Sequence, residues 1–126
     1  MHDAAEYFRN KLEFETDAWD VNELLRRRAN IVLIDARSET AFANEHIPHA
    51  INRPHRKINQ ESTAHFDRGA LYVTYCDGIG CNASTKGALK LAELGFQVKE
   101  LIGGIEWWKR DGYPVATASV AISTSA

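Results

Sequence analysis

The tightest constraint on this chain is a run at residues 71–76, Leu-Tyr-Val-Thr-Tyr-Cys, that passes through Asp77-Gly78-Ile79-Gly80-Cys81-Asn82 straight into a helical pattern over residues 83–94. The run is rich in aromatic and β-branched residues and reads as a strand. Downstream, Ala88, Leu91, Ala92 and Leu94 recur at helical spacing, and Gly95 stands where a helix ends in a left-handed residue. Gly78 and Gly80 let the intervening loop curl, because glycine reaches positive φ without a Cβ clash. A cysteine between a strand end and a helix N-terminus sits where backbone N–H groups and the helix dipole stabilise an anion, which favours the nucleophilic thiolate. The competing reading of Cys76 is a small buried hydrophobe at a strand end.

Other segments extend the pattern. Residues 31–34, Ile-Val-Leu-Ile, form an apolar run too short for a helix and suited to a strand buried on both faces. Residues 98–102 supply another strand, and Ile51-Asn52 a brief one after Pro48. Between them, Asp20-Val21-Asn22-Glu23 has capping-box spacing and predicts a helix from Asp20 to Arg28. Ser38 predicts the cap of a short helix over residues 39–43, and Gly103-Gly104 a tight turn before another at residues 105–110. The first segment reads as a helix from Ala4 that turns into a strand at Leu12-Glu13-Phe14, and residues 54–69 as polar and irregular. Strands alternating with helices predict an α/β fold with a mostly parallel central sheet flanked by helices on both sides, its reactive site at the strands' carboxyl ends. The expected organisation is an N-terminal helix and strand extension at 1–19, a domain at 20–116 and a flexible tail at 117–126.

With 126 residues the chain has room for one core. Its 15 Lys+Arg against 17 Asp+Glu, net −2, offer no positive excess for a nucleic acid or an anionic membrane. No apolar run approaches the roughly 20 residues of a membrane span. The opening Met-His-Asp-Ala-Ala-Glu has neither a basic nor an apolar signal region, and the expected location is cytoplasmic. Two cysteines cannot build a multi-bridge framework, so thiol chemistry or simple burial is the choice.

Taken together, the motifs resemble those of the rhodanese-like domains, the sulfurtransferase superfamily. Residues 31–38 resemble the family's apolar strand ending in Asp-x-Arg, here Asp35-Ala36-Arg37. Glu45-His46-Ile47-Pro48-His49-Ala50-Ile51-Asn52 resembles its Gly-His-Ile-Pro-Gly-Ala-x-Asn segment, with Glu45 and His49 in place of both glycines. Leu94-Gly95-Phe96, residues 101–108 with Gly103-Gly104 and Trp107-Trp108, and Gly112-Tyr113-Pro114-Val115 resemble its closing pattern. The resemblance implies a rhodanese-like fold in which Cys76 takes a sulfane sulfur from a small donor such as thiosulfate, polysulfide or a protein persulfide. It holds that sulfur as a persulfide and passes it to a thiol or protein acceptor, with no metal or organic cofactor. The backbone of Asp77, Gly78, Ile79, Gly80, Cys81 and Asn82 would cradle it.

The loop departs from the family pattern. It lacks the usual Arg and, counted back from Leu94-Gly95, looks two residues longer, the usual cysteine position falling near Gly78. Cys76 is the expected nucleophile because it directly follows the strand, while Cys81 remains open as nucleophile, resolving thiol or structural residue. The four residues between them permit a Cα separation of roughly 4.4 to 6.8 Å, as a disulfide requires. A loop curled around Cys76 would instead turn Cys81 away. A phosphatase or arsenate-reductase loop needs an Arg where Asn82 stands, and Asp77 would repel a dianion. Asp35 and Arg37 are expected beside the site, either as a structural ion pair or with Arg37 as the missing cation for an anionic donor. His46, His49 and His55 cluster without zinc-site spacing, and a structural His46 is expected. Arg26-Arg27-Arg28 reads as a solvated helix end, while Arg53, His55, Arg56 and Lys57 form a basic cluster that is either a solvated loop or a border of the site mouth. Of Trp107 and Trp108, one is expected in the core and the other partly exposed. Two further function classes stay open beside sulfur transfer: a binding or regulatory domain without activity, and a thiol relay using Cys76 and Cys81.

Overall fold

The computed structural model describes residues 3–117. The tail expected at 117–126 therefore lies outside the described residues except for Thr117. Five parallel strands form one sheet in the order β1-β5-β4-β2-β3: β1 Glu15–Thr16, β2 Ile31–Asp35, β3 Ile51–Asn52, β4 Leu71–Tyr75 and β5 Gln97–Leu101. Five α-helices connect them: α1 Ala4–Phe14, α2 Ala18–Arg26, α3 Glu39–Asn44, α4 Ala83–Glu93 and α5 Gly104–Arg110, with a 3₁₀ turn at His55–Lys57. The strand expected from residue 71 is the central β4, hydrogen-bonded to β2 on one side and β5 on the other.

Side-chain alternation along the strands divides the core between the two faces of the sheet. Leu33, Val73 and Tyr75 pack with Ala18 and Val21 of α2 and Ile105 and Trp108 of α5. Ile34 and Tyr72 pack with Leu91 of α4, Ile58, Ala70 and Phe96. At about 1.5 to 3 kcal/mol for each large apolar side chain removed from water, these two clusters hold the helices to the sheet and so fix the loops at its carboxyl edge. Gly87 permits the close approach of α4, since a Cβ there would stand 3.3 Å from Ile58 Cδ1.

Several local expectations shift. The helix expected from Asp20 begins at Ala18, because the Asp17 carboxylate accepts the Asp20 N–H at 2.8 Å and caps the first turn in place of Asp20. The alternation at Leu12-Glu13-Phe14 is not a strand. α1 continues to Phe14 with no buried residue, leaving Leu12 and Phe14 exposed, and the strand that follows is Glu15–Thr16, paired to β5. Lys11 and Glu15 at i and i+4 bridge that junction at 2.9 Å. Ser38 caps α3 by accepting the Ala41 N–H at 3.2 Å, and Gly95 takes φ 92° behind α4. Trp108 is buried with its indole N–H donating to the Pro114 carbonyl, while Trp107 is partly exposed under Arg110. No helix among the described residues is long and apolar enough to cross a membrane.

Candidate active site

Cys76 leaves β4 at the middle of the sheet and is 2% exposed. Its carbonyl accepts the N–H of Ile105, and the carbonyl of Asp77 accepts that of Glu106, at 3.0 and 2.9 Å. The first turn of α5 thus clamps the start of the cysteine loop. The clamp requires Gly104 at φ 58°, where a Cβ would overlap the Cys76 carbonyl. Beyond Asp77 the loop curls through a Cys81 N–H to Gly78 carbonyl hydrogen bond of 3.3 Å, with Gly80 at φ 96°, and Asn82 leads into α4.

The two cysteines are joined: Cys76 and Cys81 form a disulfide, their Cα atoms 6.2 Å apart. The conflict between a curled loop and a bridge is settled in favour of both, because the glycine-containing turn brings Cys81 back over Cys76 with β4 and α4 intact. Cys76 is buried beneath the bond, whereas Cys81 is only partly buried.

Asp35 and Arg37 lie behind the loop. Asp35 is fully buried at the end of β2, and its carboxylate accepts from Arg37 Nε at 3.0 Å and from Nη2 at 2.7 Å. Arg37 Nη2 also donates to the Glu45 carbonyl at 2.6 Å, and Nη1 to Asp77 Oδ1 at 3.2 Å. Burial disfavours the charged guanidinium, but hydrogen bonds and charge from Asp35, with a further hydrogen bond from Asp77, outweigh it and hold Arg37 above its ordinary pKa. Arg37 is therefore a structural ion-pair member. It ties the end of β2 to the first residue after Cys76, and its charge is matched by two carboxylates.

A cleft of about 250 Å³ opens over the loop, lined by Cys76, Gly78, Ile79, Gly80 and Cys81 on one side and by Glu15, Glu100 and Gly103-Gly104 on the other. Asp77, Asn82, Asp35 and Arg37 do not line it. The far wall was missed by sequence reasoning: Glu100 Oε2 accepts from Ser84 Oγ at 2.6 Å and Thr85 Oγ1 at 2.7 Å, which fixes a carboxylate beside the loop. The available signal was the position of Glu100 near the carboxyl end of β5. The basic cluster expected as a possible border of the mouth lies elsewhere: Lys57 pairs with Glu39 at 2.8 Å, and the His55 carbonyl accepts from Lys90 of α4.

His46 stacks on Phe42, its Nδ1–H donating to the Phe42 carbonyl at 2.8 Å, and His49 takes the φ of 72° that suits the family's glycine. Neither joins a metal-like group. Among the described residues the converging set is Cys76, Asp77 and Cys81, whose ligand atoms lie within 4.8 Å of one another. The disulfide and Arg37 engage all three.

The family model of the rhodanese-like domain matches residues 18–111. The chain belongs to the rhodanese-like domain family. It is 37% identical over 95 residues to thiosulfate sulfurtransferase GlpE of Coxiella burnetii, covering 74% of this chain and 81% of that protein. It is 33% identical over 101 residues to the HTH-type transcriptional regulator Rv0324 of Mycobacterium tuberculosis, covering 79% of this chain but 44% of the regulator. Among solved structures, the BH2092 protein of Bacillus halodurans superimposes with a TM-score of 0.87 at 40% identity, over 91% of this chain and 85% of that one. In this rhodanese-like domain the central strand delivers a cysteine to the carboxyl edge of a parallel sheet, where open α/β sheets place their ligands.

Proposed function

We propose that this rhodanese-like domain is a sulfurtransferase in which Cys76, once reduced, is the sulfur carrier. One observation carries the reading: Cys76 stands at the end of β4 on the floor of the cleft, between the α5 clamp and the loop into α4. The similarity to a thiosulfate sulfurtransferase supports the reaction class. The Cys76 thiolate bonds to the outer sulfur of the donor. The donor S–S bond breaks, and its electron pair leaves with sulfite or a thiolate. An acceptor thiolate then attacks the outer sulfur of the persulfide, and the electron pair of the broken S–S bond returns to Cys76. Backbone amides of residues 77–82 stabilise the charged sulfur without a metal or organic cofactor.

The cleft selects against a dianionic donor. Asp77 follows the nucleophile, Glu100 stands on the far wall beside Glu15, whose charge Lys11 matches, and the charge of Arg37 is already matched. A persulfide of low charge, small or protein-bound, fits better than thiosulfate, and the acceptor is a thiol. A reducing compartment, the cytoplasm, keeps Cys76 open to reaction.

A second reading, a regulatory module without transfer activity, is favoured by the similarity to Rv0324 and by the missing loop cation. Intact-mass measurement of the reduced Cys81→Ser variant, in which no neighbouring thiol can discharge a persulfide, after incubation with thiosulfate or glutathione persulfide separates the two. Gain of one sulfur atom on Cys76 supports the carrier. Absence of any adduct with both donors favours the regulatory module.

A further inference from the structure

We propose that Cys81 is a resolving thiol that expels the sulfur carried on Cys76 as hydrosulfide, so that the domain is left as the Cys76–Cys81 disulfide and depends on a dithiol to begin again. The inference rests on the sulfur-carrier reading and adds to it a second activity of the same loop, reduction of sulfane sulfur to sulfide.

The placement of the two thiols carries it. They are separated by 5 positions in one curled loop, and their Sγ atoms are bonded while β4, the α5 clamp and the start of α4 keep their hydrogen bonds. No segment has to unfold for Cys81 to reach Cys76. An intramolecular thiol held this close competes against any external acceptor with a large effective concentration. The surroundings favour departure of the product, because the cleft that would retain hydrosulfide is lined by the Glu100 carboxylate, which has only hydroxyl partners among the described residues, and by no cation.

The step balances. Cys81 Sγ attacks Cys76 Sγ, the inner sulfur of the persulfide, and a new Sγ–Sγ bond forms as the bond to the outer sulfur breaks. The outer sulfur takes the electron pair and the Cys81 thiol proton and leaves as HS⁻. It is reduced by two electrons, and the two cysteine sulfurs are oxidised to the disulfide. Regeneration requires a dithiol, and burial gives it a direction. Cys76 is buried and Cys81 partly open, so the reductant attacks Cys81, liberates the Cys76 thiolate inside the loop and is itself released as a disulfide by its second thiol. A monothiol, lacking that second thiol, stalls as a mixed disulfide on Cys81.

The test is a single turnover. Wild type and the Cys81→Ser and Cys81→Ala variants, reduced and freed of reductant under argon, receive one equivalent of thiosulfate labelled at its outer sulfur or, in a parallel arm, glutathione persulfide. Folding of each variant is checked by circular dichroism. The expected result is that wild type releases labelled sulfide stoichiometric with chain and loses the mass of two hydrogens. Both variants should retain one added sulfur atom and release at least tenfold less sulfide. Wild type that keeps the added sulfur with free Cys81, or variants that release sulfide at the wild-type rate, would overturn the resolving role and leave the carrier reading standing. Failure of every protein, the Cys81 variants included, to take up sulfur from either donor would overturn the carrier reading and this inference with it.

Discussion

Gly104 and Cys76 meet backbone to backbone: the residue after Gly104 donates its N–H to the Cys76 carbonyl at 3.0 Å, and Gly104 itself, at φ 58°, leaves no room for a Cβ beside that oxygen. A glycine 28 positions downstream thereby sets where Cys76 leaves its strand.

Gly104→Ala is therefore expected to destabilise the domain by about 2 to 4 kcal/mol, from left-handed backbone strain together with the overlap. Sulfur uptake should fall with it, since the clamp can form only by displacing Cys76. Urea denaturation and single-turnover loading check the two effects. Unchanged values of both would show that the clamp tolerates a side chain.

Cys76→Ser is expected to abolish sulfur uptake while preserving the fold, because a hydroxyl cannot hold a sulfane sulfur and the exchange is nearly isosteric. Intact mass after incubation with donor, set against the Cys81→Ser variant that retains the adduct, reads the outcome. Uptake by Cys76→Ser at the rate of Cys81→Ser would move the nucleophile to Cys81.

Donor choice follows from charge. Thiosulfate is expected to be at least tenfold poorer in kcat/KM than glutathione persulfide, a difference of about 1.4 kcal/mol. Asp77→Asn removes a carboxylate next to the nucleophile and loosens its hold on Arg37 Nη1, and should raise kcat/KM for thiosulfate several-fold with less effect on the persulfide. Steady-state kinetics with both donors decide the point, and a wild-type preference for thiosulfate would contradict the acidic-cleft reading.

Tyr75 gives the fold an alkaline limit. Its buried hydroxyl oxygen accepts the Ile47 N–H at 3.0 Å, and Tyr75→Phe should cost about 1 to 3 kcal/mol at neutral pH by leaving that N–H unpaired. Burial, then the charge of Asp35, raise the Tyr75 pKa above its ordinary 10.0. A raised pKa means the folded state holds the proton more tightly than the unfolded chain. Stability from this group is complete below pH 10 and is lost as the pH climbs beyond it. The gap between wild type and Tyr75→Phe in urea midpoint should narrow above pH 10. A gap constant to pH 11 would refute the linkage.

What the sequence by itself determined is local and periodic. The β-branched run before Cys76, the helical spacing after it and the glycines between them specify a strand, loop and helix by steric and hydrophobic rules that act within a few residues. The same rules place a buried strand at residues 31–34, which the structure extends to Ile31–Asp35, and Ser38 as a cap. They misled at Leu12 and Phe14, where apolar alternation suggested a strand, but no core covers those side chains and α1 runs on through them. They also put the cap at Asp20, whereas Asp17 holds it, because packing of Ala18 and Val21 against the sheet decides where the helix starts. Tertiary structure alone decided the rest of the site. Glu100 faces the loop because β5 lies beside β4, Arg37 reaches Asp77 because β2 flanks it on the other side, and Gly104 meets Cys76 because α5 packs under the sheet edge. The bond between Cys76 and Cys81 belongs to the same class: spacing left both outcomes open, and the curl of the folded loop joined them. Contacts between residues distant in sequence depend on which strands become neighbours, and no local pattern of side chains encodes that order.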